Sequence, residues 1–193
     1  MDISLLLAGI VIGAAVVVAI WFVVDRQRSA RLQRQFGPEY ERVVSRAGDR
    51  RAAESELRDR EQRVKGLEIR PLNVDERERF ATRWHDVQSR FVDEPDAAVR
   101  DADQLVGEVM SARGYPMADF EQRAADVSVD HPQVVDHYRT AHRIAGRRLD
   151  AATDTEELRQ AMVHFRALFS DLLDENGERR EQTQEPVAMR TER

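Results

Sequence analysis

The chain has 193 residues, 30 Lys plus Arg against 36 Asp plus Glu, a net charge of -6 and no cysteine. Without cysteine there is no disulfide framework, no thiolate metal site and no cysteine nucleophile. The length leaves room for one modest domain beyond any membrane segment. Lys65 is the one lysine, a skew typical of GC-rich genomes rather than a sign of phosphate binding.

Ile3 to Val24 is an apolar run of 22 residues with no charge. At about 1.5 Å rise per residue it reaches roughly 33 Å, enough to cross a bilayer core. A cleaved secretory signal would open with basic residues and end on a small-residue site. Here the start is Met1-Asp2, and the run ends Ala19-Ile20-Trp21-Phe22-Val23-Val24-Asp25. A buried core helix rarely needs so long an apolar stretch. An uncleaved transmembrane helix over 3–24 is therefore expected, with Trp21 and Phe22 near the interface.

Flanking charge sets the orientation. Arg26, Arg28, Arg31 and Arg34 follow the span, and only the α-amino group and Asp2 precede it. Cytoplasmic flanks retain Lys and Arg, so the N-terminus is expected outside and the rest in the cytoplasm. Localisation at the cytoplasmic membrane, in contact with the lipid bilayer, follows. Gly9 and Gly13 stand four apart, with Ala15 and Ala19 repeating the spacing. Small residues so placed let two helices approach closely, which suggests a homodimer through this face.

Residues 25–36 form a basic juxtamembrane segment that continues the helix into water. Phe36-Gly37-Pro38 breaks it, and Pro38 suits the first position of a new helix. One charged helical stalk is expected over 38–67, with Tyr40, Val43, Val44, Ala47, Leu57, Val64 and Leu67 as its thin apolar stripe. Its mixed charges support an exposed helix through pairs three and four apart. A coiled coil needs a sustained seam, which is missing. A linker over 68–72 contains Ile69-Arg70-Pro71-Leu72.

Asn73 opens the next helix, with Glu76 as capping-box partner. Phe80, Trp84, Val87 and Phe91 share one face. Pro95 starts a helix striped by Val99, Ala102, Leu105, Val106, Val109 and Met110, and Gly114 ends it. After Tyr115-Pro116 comes a short helix with Phe120 and Ala124 inward. Asp130-His131-Pro132 reads as another start, followed by Val134, Val135, Tyr138, Ala141, Ala145 and Leu149 at helical spacing. Thr153 and Glu156 repeat the capping pattern before Leu158, Met162, Phe165, Phe169 and Leu172. The expected fold is all-α: a membrane helix, a stalk, and a compact acidic bundle of about five helices over 73–175. Residues 176–193 bury too little apolar surface to offset ordering and read as a disordered tail.

Charge is unevenly spread. Residues 25–72 carry 13 basic and 9 acidic groups, whereas residues 73–175 carry 13 and 22. The basic part lies beside the membrane, where anionic lipid attracts it. The acidic part is a poor nucleic-acid binder, because phosphate contacts dominate that affinity. A basic protein partner suits it better.

No catalytic, metal or cofactor constellation emerges. His137 and His142 are five apart, about 140° around a helix, so they do not share a face. His85 and Glu78 do, but two residues do not make a metal site. His131 reads as part of a helix start and His164 as a border of the core. There is no G-x-S-x-G turn and no Gly-rich phosphate loop. The aromatic residues sit at core spacing.

Asp119-Phe120-Glu121-Gln122-Arg123-Ala124-Ala125-Asp126, Asp130-His131-Pro132 and Leu158 through Arg166 resemble a family of bacterial single-pass membrane proteins with a charged helical remainder. The resemblance covers Phe36 to Leu173. It implies a bacterial membrane context and supplies no activity and no site residues. The expected function is a non-catalytic interaction or scaffolding module tethered to the membrane. The alternatives are a regulatory sensor that shifts helices about the linker and, third, an enzyme acting on a lipid or small molecule in the bundle.

Overall fold

The computed structural model describes Gly13, Ile20, Phe22, residues 25–146 and residues 154–184, with side chains described as far as Leu173. The rest of the expected membrane helix, Gly9 included, lies outside the described residues, as do Leu149, Thr153 and residues 185–193. Every regular element among the described residues is an α-helix, as expected. Among them no helix is long and apolar enough to cross a membrane. The chain divides into two compact units between Asp59 and Arg60, not at the 68–72 linker.

In the first unit, helix α1 covers residues 25–36. Gly37 breaks it at a positive φ of 46°, and Pro38 opens α2 (Pro38–Ala47). The single stalk helix expected over 38–67 is instead two helices, α2 and α3 (Arg50–Lys65). Gly48 takes a left-handed φ of 68° and its N–H caps the Val44 carbonyl. That conformation costs an L side chain energy and costs glycine little. Asp49 then accepts from the Ala52 N–H through Oδ2 at 2.9 Å and starts α3. The chain turns back on itself. Tyr40 donates its hydroxyl hydrogen to Glu54 at 2.9 Å, and Arg46 pairs with Glu56. Phe36, Tyr40, Val43, Ala53 and Leu57 are buried, so this stretch is not the solvent-exposed rod its charge suggests.

The second unit holds the expected five-helix bundle: α4 (Val74–Arg90), α5 (Pro95–Ala112), α6 (Phe120–Asp130), α7 (Val135–Ala145) and α8 (Thr155–Gln184). Asn73 and Glu76 form the capping box, each side chain bonded to the other's backbone N–H at 2.8 and 2.9 Å. Pro95 starts α5 as expected. Asp119 caps α6, accepting from the Gln122 N–H. At the start of α8, Asp154 accepts from the Glu156 N–H. The core joins all five helices through Phe80 and Trp84 of α4, Leu105 and Val109 of α5, Val127 of α6, Tyr138 of α7 and Phe165 and Leu168 of α8. Trp84 stacks on Phe169 at 4.6 Å between ring centroids.

Two expectations change here. His131 does not start a helix: it is the C-cap of α6, and α7 begins only at Val135. The backbone of α8 continues to Gln184, through the first part of the expected disordered tail. Glu, Arg and Gln are good helix formers and extend a helix already nucleated on a packed face.

Candidate functional site

The polar groups of the bundle are drawn to its helix junctions. Arg113, the C-cap of α5, is 1% exposed. Its Nη1 donates to the Leu172 carbonyl at 3.0 Å and faces His131 Nε2 at 3.4 Å. A guanidinium only donates, so Nε2 accepts, and the His131 hydrogen sits on Nδ1, which contacts Asp171 Oδ2. Arg113, His131 and Asp171 thus form a charge-balanced chain joining the ends of α5 and α6 to α8. The same corner holds Tyr115, whose hydroxyl donates to Asp130 at 3.1 Å. Burial first, then the Asp130 charge, pushes its phenol pKa upward.

The 68–72 linker is pinned to this corner. The Arg70 N–H donates to the Arg113 carbonyl at 2.8 Å, and Leu72 is buried in the core. Gly114 has a φ of +98°, and a Cβ there would stand 2.5 Å from the Glu68 carbonyl oxygen. A hinge needs free backbone, and this segment is hydrogen-bonded and packed, which counts against helix shifts about it.

The last residues of α3, from Arg60 on, belong to the second unit, and there Arg63 docks on α6. Asp126 is fully buried, and its Oδ1 accepts from Arg63 Nε at 2.8 Å and Nη2 at 2.7 Å and from Gln122 at 2.8 Å. Arg60 Nη1 reaches Ser128 Oγ at 3.3 Å. These are ties between elements rather than reacting groups.

The other four histidines divide into three environments. His85 is exposed on α4. His142 on α7 lies flat on Phe120, centroids 3.7 Å apart, with Nδ1 2.9 Å from Asp103 of α5. His137 on α7 and His164 on α8 meet with their Nδ1 atoms 2.6 Å apart. His137 and His142 do not share a partner, as their spacing implies. The His137–His164 contact joins separate helices, so no local spacing could signal it. Among the described residues no group of three or more His, Asp or Glu is placed to hold a metal ion.

A cleft of about 220 Å³ between α4 and α5 is lined by Arg83, Asp86, Val87, Arg90, Asp101, Gln104 and Leu105. Both of its arginines are paired: Arg83 with Glu108 and Arg90 with Asp101. The Arg83 partner holds the Glu108 carboxyl below its ordinary pKa. No histidine lines this cleft.

In the first unit, Glu54 is a buried carboxylate with three donors. Burial pushes its pKa up, but bonds from Ser29, Arg50 and Tyr40 outweigh that and hold it below 4.5. Of the residues singled out for topology, Arg26, Arg28, Arg31 and Arg34 are exposed on α1. The Arg26 guanidinium lies 4.6 Å from the Phe22 ring centroid, and Arg34 Nε donates to the Ala30 carbonyl at 3.2 Å. A Cβ at Gly13 would meet nothing within 4 Å. Comparison with protein-family models, curated proteins and solved structures gives no match for this chain.

Proposed function

We propose that the chain is a single-pass membrane-anchored, non-catalytic interaction module, with its N-terminus outside and its helical bundle at the cytoplasmic face. The observation that carries this reading is the uncharged run Ile3–Val24, followed at once by Arg26, Arg28, Arg31 and Arg34. Such a run partitions into a bilayer, and basic residues flanking it stay on the cytoplasmic side. All four arginines are exposed on α1, and basic residues beside a span are attracted to anionic lipid headgroups. The mechanism is tethering: confinement to a surface raises the effective concentration of a weak partner. The acidic excess over 73–175 favours a basic partner protein. Gly9 and Gly13 supply a face for homodimerisation, which would add avidity.

Alkaline carbonate extraction tests the anchor. The full chain is expected to stay with the bilayer, and a chain beginning at Asp25 to be released; release of both overturns the reading. Exchanging 3–24 for an unrelated span of the same orientation separates tether from module. Partner crosslinking is then expected to persist, whereas deleting the span is expected to abolish it.

A further inference from the structure

We propose that His137 on α7 and His164 on α8 form a proton-controlled latch between these helices, closed while the pair carries at most one extra proton and opened by the second. The Nδ1 atoms are 2.6 Å apart while the ring centroids are 4.8 Å apart. The rings therefore meet end to end through nitrogen rather than face on face. A neutral imidazole has one N–H and one lone pair, so one Nδ1 donates and the other accepts. One added proton makes the donor ring cationic and keeps the same bond, now charge-assisted. A second proton places hydrogen on both facing nitrogens and two positive charges at contact distance. The bond is then lost and replaced by repulsion.

Several carboxylates of the packed helices are engaged with other groups. On α5, Asp103 serves His142, and Asp101 and Glu108 serve Arg90 and Arg83. On α6, Asp126 serves Arg63 and Gln122, and Arg123 lies against the Tyr138 hydroxyl. On α8, Asp171 serves His131 and Glu156 serves Arg159. The nearest charges in sequence are Asp136 and Arg139 on α7 and Arg166 on α8. Burial first, and then the charge on His137, lowers the His164 pKa from its ordinary 6.5. A histidine lowered in this way binds fewer protons folded than unfolded. Its contact is therefore fully present above pH 6.5 and is lost only as pH falls through the lowered value, where the second proton binds. His131 and His142 differ in kind: each sets its Nδ1 against a carboxylate rather than against a second imidazole.

The experiment uses the full chain in lipid nanodiscs. Ring nitrogen shifts of all histidines are followed by NMR from pH 8 to pH 5. Amide hydrogen exchange is measured on α7, α8 and α4, corrected for its intrinsic pH dependence. The pair is expected to titrate in two coupled steps. Exchange on the facing turns of α7 and α8 is expected to speed by about tenfold for each pH unit over which opening takes up the second proton, with α4 unchanged. H164Q keeps a side chain able to donate or accept and removes the charge. It is expected to abolish the acid acceleration of exchange on the facing turns of α7 and α8. Independent single-proton titration of the two rings overturns the proposal, whatever the variant does. So does an H164Q exchange profile that follows pH as the parent does.

Discussion

At the scale of single residues, the helix boundaries rest on a few side chains whose loss has a direct readout. Asn73 accepts from the Glu76 N–H, and removing such a cap costs about 1 kcal/mol. N73A is accordingly expected to lower the urea midpoint by that free energy with an unchanged slope. Gly114 carries a heavier constraint. Its φ is positive, and any Cβ added there would come within 2.5 Å of the Glu68 carbonyl oxygen. G114A is expected to destabilise the second unit by about 2 kcal/mol, measured by the same denaturation. The cap was readable, because Asn followed three residues later by Glu is a local signature. The Glu68 approach was not, because it joins segments distant in sequence. His131 shows the same limit from the other side. Asp130-His131-Pro132 has the form of a helix start, yet the His131 N–H caps the Val127 carbonyl while Arg113 and Asp171 hold its ring.

At the scale of elements, tertiary contacts decided what periodicity left open. The stripes on α5 and α8 predicted their buried faces, because 3.6-residue spacing is itself the signal for one-sided burial. The stalk read differently because its charge obscured a turn. Ala47-Gly48-Asp49 holds a glycine C-terminal signal and an aspartate N-terminal signal side by side. The gap in the apolar stripe between Ala47 and Leu57 was that turn. Glu54 makes the resulting hairpin sensitive to acid. Its pKa lies below 4.5, so its contribution is present above that pH and fades as pH falls through the lowered value. Amide exchange on α2 and α3 is expected to accelerate in that window, and E54Q to flatten the acid response. Arg63 ties α3 to the buried Asp126. R63A leaves that carboxylate with fewer donors and is expected to cost about 2 kcal/mol by thermal unfolding.

At the scale of the whole molecule, the proposed task depends on location more than on chemistry. The bundle's buried and half-buried charges hold its own helices together, as Arg113 with Leu172 and Arg63 with Asp126 illustrate. The all-α class and the five helices of the bundle were legible because caps, proline starts and amphipathic stripes agree along most of the chain. The junction contacts were not legible, since each pairs residues brought together only by folding. The central claim is that Ile3–Val24 crosses the membrane with the bundle inside, and the absence of cysteine makes it directly measurable. Single thiols are introduced as D2C and as V92C, the latter at a residue 82% exposed, and probed with a membrane-impermeant maleimide. The account predicts that intact cells label D2C, and that V92C labels only after lysis. Labelling of V92C in intact cells would contradict it.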